Sequence, residues 1–413
     1  MNTFTQIFLA LLFGGLALQL WLAIRQIRHV NRHAGQVPEA FRDSISLEAH
    51  QKAARYTVTK NRVGMIDAII GVVILLVWTT GGGLDLLDRL WRSNGWSEIN
   101  TGVAFLLSIA IIGSLLDLPI SIYNTFVIEE RFGFNKTTMK TFVADLFKGL
   151  VLSLIIGVPL VYAVLWLMTK MGNNWWLYVW LLWSGFSLFM LWAYPSWISP
   201  LFNKFKPLED KDVMQRLQAL LARTGFKSNG VFVMDGSKRS AHGNAYFTGM
   251  GQNKRIVFFD TLLKILAPEE IEAVLAHELG HFKLNHIKKR IVLTFASSLI
   301  GLALLGWLMH QGWFYSGLGV AQPSTYMALA LFMLAAPVFT VFLGPLLSWS
   351  SRKHEFEADA FAAKQADANK LVSALVKMYE ENARTLTPDP LHSIFYDSHP
   401  PAPVRIAHLQ AQH

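Results

Sequence analysis

Apolar runs of about twenty residues recur along this chain, separated by short polar stretches rich in Arg and Lys. A helix rises about 1.5 Å per residue and the hydrocarbon layer of a bilayer is roughly 30 Å thick, so about twenty apolar residues suffice to cross it. Seven runs reach that length, at residues 5–24, 64–83, 102–121, 147–168, 175–197, 291–310 and 326–349. They predict seven spanning helices and a mainly α, polytopic membrane protein. The first run has no basic residues before it, lacks a small-residue cleavage site and continues to Arg25. It reads as a retained helix rather than a cleaved leader.

Between the fifth and sixth runs the pattern changes. Residues 208–224 alternate with an amphipathic helical period and stop at Gly225. Short β-type runs follow at Gly230–Met234, Asn244–Thr248 and Arg255–Phe259, set apart by turn residues at Asp235–Gly236 and at 249–251. A small antiparallel sheet is expected. Pro268 then opens a helix whose first turn carries Glu269 and Glu270, where acidic residues suit the positive end of the helix dipole. The chain divides accordingly into 1–197 (five spans and their loops), 198–290 (a domain between spans five and six that ends in this helix), 291–349 (spans six and seven) and 350–413 (a C-terminal helical segment).

Composition agrees with a bilayer partner. The chain is 53% hydrophobic and 16% charged, against about 25% charged in soluble proteins. Its net charge of +9 sits mostly in loops, and no basic–aromatic recognition element suggests nucleic acid. The loop between the first two runs holds Arg25, Arg28, Arg32, Arg42, Lys52, Arg55, Lys60 and Arg62. The next holds only Arg89 and Arg92, and the sixth, about 311–325, has no Lys or Arg. Basic loops face the cytoplasm, which places the N-terminus outside and the 198–290 domain and C-terminus in the cytoplasm. Asp67 and Asp117 fall within apolar runs. Such carboxylates pair within the bundle, sit near an interface or line a water-filled interior. The chain has no Cys, so any metal must be held by His and carboxylates, the donor set of many catalytic zinc sites.

One motif carries such chemistry: His277-Glu278-Leu279-Gly280-His281. On a helix, positions four apart share a face, so His277 and His281 can grip one zinc ion. Glu278 can take a proton from a water whose pKa zinc lowers to about 7. The flanking Ile271, Ala273, Val274, Leu275 and Leu279 are apolar, so polar groups buried among them need partners. A third protein ligand is required, with one position left for water. Glu355 and Asp359, four apart after the seventh run, are candidates: one to ligate, the other to hold the outer nitrogen of a ligand histidine. His354 is a weaker candidate, and Glu357 points elsewhere on a helix.

With these residues in place the chain resembles the type I CAAX prenyl endopeptidases, integral-membrane zinc proteases, over nearly its whole length. The resemblance rests on EERFGFNK at 129–136, PSWISPLFNK at 195–204, SAHGNAYF at 240–247, KRIVFFDTLL at 254–263 and SHPP at 398–401 followed by Arg405. It implies Glu355 as third zinc ligand and Asp359 as the acid behind the ligands. It also implies Asn244, with Ala245, Tyr246 and Phe247, on a strand lining the cleft, and His399 and Arg405 facing the scissile carbonyl. The implied fold is seven membrane helices around a water-filled chamber closed by the peptidase domain. An extended peptide can add to an edge strand, and a donor at the oxyanion is worth roughly 3–4 kcal/mol. Read without the resemblance, His399 before two prolines is a turn cap, Arg405 a surface ion pair and Asn244 a turn residue.

The expected function is a one-zinc endopeptidase acting on membrane-associated or prenylated (CAAX-type) proteins. A quality-control protease for damaged membrane proteins is the alternative among enzymes. A metal or solute transporter is the alternative outside them, although a transporter would carry its ligands within the spans.

Overall fold

The computed structural model describes residues 2–249 and 254–411. In chain order the elements are α1 (Thr3–His33), α2 (Leu47–Trp78), α3 (Gly83–Arg92), α4 (Glu98–Tyr123), α5 (Met139–Lys170), α6 (Trp175–Ala193), α7 (Ser199–Phe202), β1 (Phe205–Pro207), α8 (Lys211–Thr224), β2 (Val231–Met234), β3 (Ala245–Thr248), β4 (Arg255–Phe259), α9 (Asp260–Ile265) and α10 (Pro268–Lys283). Then follow α11 (His286–Leu308), α12 (Gly312–Gly317), α13 (Thr325–Thr340), α14 (Gly344–Gln365), α15 (Ala368–Glu381), α16 (Pro390–Tyr396) and α17 (Ala402–Gln410). Among the described residues seven helical stretches are long and apolar enough to cross a bilayer, and each overlaps one of the seven apolar runs, although the runs at 64–83 and 291–310 overshoot their helices, which end at Trp78 and Leu308. Several are 31 or 32 residues long, about 46–48 Å at helical rise. They are therefore longer than the hydrocarbon layer is thick.

The spanning helices do not form a solid bundle. None of the apolar window of α2 is buried, and even α13–α14, the most enclosed, is only one-third buried. Apolar side chains such as Leu115, Ile155 and Ile300 are exposed on these helices. Tight packing is confined to one end, where Phe8, Leu84, Phe105, Leu165, Leu305 and Tyr326 form a buried cluster. This splayed arrangement is that of helices set around an open interior. Asp67 and Asp117 are exposed and form no ion pair among the described residues, so neither is neutralised by a partner within the bundle.

The sheet differs from expectation. Its order is β1-β2-β4-β3, with β1–β2 and β3–β4 antiparallel but β2–β4 parallel. The sheet is therefore mixed, not antiparallel. The chain after β2 runs through a short helical turn at Gly236–Lys238 and a loop before β3. β4 folds back from β3 and inserts between it and β2. That crossing leaves no mark in the alternation of apolar residues. β1 escaped the sequence because it is three residues long and ends in Pro207, a residue tolerated only at an edge. The turn expected at 249–251 lies partly outside the described residues. The expected helix at 208–224 begins at Lys211, capped by the Asp210 carboxylate, which accepts from the Val213 N–H.

Central β4 is the most buried strand, with Ile256, Val257 and Phe258 at 1% exposure or less. It packs with Leu217 and Leu220 of α8, Leu275 and Leu279 of α10, Ala362 of α14, Leu371 and Ala374 of α15 and Leu409 of α17 in one core. This core gathers helices from both sides of spans six and seven, which lets distant segments build one site. Membrane helices are pinned to it by charge. Arg239, ahead of β3, makes a bidentate pair with Asp145 of α5. Arg25 of α1 reaches Asp389 at the start of α16 at 3.0 Å.

Candidate active site

α10 is a well-formed helix for sequence reasons. Pro268 occupies its first turn, where a missing N–H costs nothing. The Glu270 carboxylate accepts from the Ala267 N–H and from Ser373 and Lys377 of α15, which locks the helix start. Three turns on, His277 and His281 face α14. There Gly280 lies against Ala358, and a methyl on Gly280 would come 2.9 Å from Ala358 Cα. That close approach brings Glu355 to the two imidazoles.

Three side chains converge, each offering one ligand atom within 4.8 Å of the others. His277 Nε2 and His281 Nε2 are 3.2 Å apart, His281 Nε2 is 3.2 Å from Glu355 Oε1, and His277 Nε2 is 3.5 Å from Glu355 Oε2. A tetrahedral zinc ion with ligands at about 2.0–2.1 Å separates neighbouring ligand atoms by about 3.3–3.4 Å. The residues present therefore fit one ion. Glu355 is buried and its Oε2 has no hydrogen-bond partner, the condition of a group awaiting a cation. Charge agrees: the Glu355 and Asp359 carboxylates both approach the Arg405 guanidinium, at 3.4 and 2.7 Å, and outnumber it.

Asp359 takes the outer role. It is fully buried, and the His277 Nδ1–H donates to its Oδ1 at 2.8 Å. This fixes the tautomer that leaves the Nε2 lone pair free. The structure thus brings Glu355, not Asp359, to the convergent nitrogens. Arg405 of α17 is buried and grips Asp359 with two bonds of 2.7 Å, with Nη1 3.4 Å from Glu355 Oε2. It is an anchor behind the site, not a surface ion pair.

Glu278 turns into a recess of about 960 Å³ shared with His277, Asn244, Tyr379, His399 and Arg405. Burial is the leading cause that raises its carboxyl pKa above the ordinary glutamate value, against the pull of His277 and His281, which suits a proton-shuttling base. His399 lies at the mouth, with Nε2 3.5 Å from Glu355 Oε1 and Nδ1 2.9 Å from the Ser398 hydroxyl. An Nδ1 that accepts from Ser398 leaves the proton on Nε2, aimed at the site. Arg352 of α14 holds this segment by donating to the carbonyls of Ser393 and Asp397.

β3 is an edge strand, as anticipated. Asn244, just before it, lines the recess, whereas Tyr246 packs on Phe259 and Phe247 on Phe226. What β3 offers a ligand is its backbone edge. The approach to β3 is fixed by a network the sequence did not reveal. Tyr56 of α2 donates to Glu129 at 2.7 Å, and His242 lies between Glu129 and Asn382, whose amide also brackets Gly243. Glu129 closes a wide helical turn, Asn124–Glu129, that extends α4. No single-chain pattern announces a contact among four segments this far apart.

Two family descriptions together match most of the chain. "CAAX prenyl protease N-terminal, five membrane helices" covers residues 26–204, and "Peptidase family M48" covers 207–413. Among curated relatives, the CAAX prenyl protease 1 homolog of Oryza sativa is 34% identical, covering 95% of this chain and 94% of that protein. CAAX prenyl protease 1 of Saccharomyces cerevisiae is 32% identical over 94% and 91%, and the human homolog is 32% identical over 98% and 95%. The crystal structure of Ste24p from S. mikatae superposes with a TM-score of 0.90 at 30% identity, over 99% of both chains.

Proposed function

This chain belongs to peptidase family M48 and is an integral-membrane metalloendopeptidase, and from that premise we propose that one zinc ion held by His277, His281 and Glu355 serves cleavage of lipidated, CAAX-type protein ends. The relatives named CAAX prenyl protease support that substrate class. The observation that carries the reading is the convergence of His277, His281 and Glu355, with donor atoms of neighbouring side chains 3.2–3.5 Å apart, beside Glu278 in the recess that Asn244 lines.

When bound, zinc supplies Lewis acidity, polarising the peptide carbonyl and acidifying water. The protein does the rest. The backbone edge of β3 receives an extended substrate, with Asn244 at its head. Glu278 takes the proton from the attacking water and returns it to the leaving amine. His399 donates through Nε2–H to the carbonyl oxygen as it becomes an oxyanion. Asp359 holds His277 through Nδ1, and Arg405 holds Asp359. Segments 198–290 and 350–413 form one catalytic unit, docked on the ends of the spanning helices. Loop charge sets that unit in the cytoplasm with the N-terminus outside, where lipidated C-termini meet the membrane.

The test uses the purified full chain in proteoliposomes with a farnesylated CAAX peptide and its unprenylated twin. Cleavage of the farnesylated peptide that is abolished by Glu278→Gln at unchanged zinc content supports the reading. Equal cleavage by the variant, or preference for the unprenylated peptide, rejects it.

A further inference from the structure

His286 and Glu357 lie just outside the three converging donors and take no part in the reaction described above. His286 is the first residue of α11, one position after Asn285, whose left-handed backbone (φ 58°) turns the chain sharply out of α10. That turn folds the His286 ring back on α10. Its Nδ1 lies 3.1 Å from His281 Nδ1, and its Nε2 lies 2.9 Å from Glu357 Oε2. His286 is only 4% exposed. The ring of His354 stacks on it with centroids 4.1 Å apart and planes 15° apart.

His286, His354 and Glu357 have the composition of a second metal site. The ring geometry speaks against it. A metal lies near the plane of each imidazole that binds it, along the nitrogen lone pair. Two near-parallel rings stacked 4.1 Å apart cannot both hold one ion in plane. The stack instead packs His354 against one face of the His286 ring.

We propose, resting on the zinc reading above, that His286 and Glu357 are positioning residues that orient ligand His281 through a two-link hydrogen-bond chain. One assignment of protons satisfies every contact. His281 Nε2 must keep its lone pair for the metal, so His281 Nδ1 carries the proton. Two facing Nδ1 atoms cannot both be protonated, so His286 Nδ1 accepts and His286 Nε2 carries a proton. Glu357 lies where that Nε2–H donates.

The first ligand, His277, meets its carboxylate, Asp359, directly at 2.8 Å. The second meets no carboxylate at Nδ1 among the described residues, and His286 fills the gap. Ligand histidines depend on such partners for tautomer and ring orientation. Glu357 is two residues from Glu355 on α14, and His286 opens membrane helix α11. The chain therefore ties two zinc ligands and a spanning helix into one unit.

The test measures zinc dissociation from the full-length protein under a competing chelator, together with the visible spectrum of the cobalt-substituted form. His286→Ala and Glu357→Ala are expected to release zinc about 10–100-fold faster and to alter the cobalt bands. Glu357→Gln, whose amide oxygen still accepts, is expected to restore most of the loss. His354→Ala is expected to act weakly and leave one ion per chain. Unchanged dissociation and spectrum in both alanine variants overturn the proposal, provided His281→Ala still abolishes binding. Failure of the wild type to bind zinc at all overturns the zinc reading instead. Two ions per chain, falling to one in His354→Ala, overturn the proposal in favour of a second metal site.

Discussion

Gly280 of α10 and Ala358 of α14 are in backbone contact: a β-carbon on Gly280 would lie 2.9 Å from the Cα and 3.0 Å from the carbonyl oxygen of Ala358. Both helices carry converging side chains, His277 and His281 on one and Glu355 on the other. The glycine between the two histidines therefore sets the distance at which the donors meet.

Gly280→Ala is expected to push α14 outward. Overpacking of this kind costs about 1–3 kcal/mol, and Glu355 would retreat from both imidazoles. Metal analysis after dialysis should find zinc depleted, and thermal unfolding should show a lowered midpoint. Full zinc content with an unshifted midpoint would show that the contact yields freely.

Arg405 should behave as a structural anchor. Removing one partner of a buried ion pair leaves the other charge uncompensated, at a cost of about 3–5 kcal/mol. Arg405→Ala should therefore unfold more readily, and Arg405→Lys should rescue poorly because lysine cannot supply the two parallel bonds to Asp359. Denaturation of the two variants in detergent is the measurement. A fully stable alanine variant that has lost only turnover would assign Arg405 to the oxyanion alone.

Glu270 gives the peptidase domain a dependence on acid. Burial alone would raise its pKa, but Lys377, Ser373 and the Ala267 N–H outweigh it and hold the carboxyl below the ordinary glutamate value. A group whose folded pKa is depressed stabilises the fold above its unfolded pKa, about 4.3, and that contribution is lost as pH falls through the folded value. Glu270→Gln should lower the unfolding midpoint at pH 7, with the gap to wild type closing below about pH 4. A gap that is constant across pH would reject the carboxylate's role.

The membrane helices were legible because length and apolarity alone decide whether a segment can span. The motif helix was legible because Pro268, the acidic first turn and the spacing of His277 and His281 all act within one element. β1 and the parallel pairing of β2 with β4 were not, because three residues ending in Pro207 carry no period and strand order is set by a loop crossing. The choice between Glu355 and Asp359 as ligand also lay beyond spacing, since both share a helical face. Depth separates them: Asp359 sits one turn further in, behind His277. The His281–His286–Glu357 chain depends on the turn at Asn285 and on two helices meeting, neither visible along the sequence.

Anomalous diffraction at the zinc edge, on crystals of the full-length protein, tests the central claim most directly. A single peak is predicted about 2.0–2.2 Å from His277 Nε2, His281 Nε2 and one oxygen of Glu355, with the fourth position held by solvent. A peak centred on His286, His354 and Glu357, or an ion enclosed by four protein groups, would contradict the account.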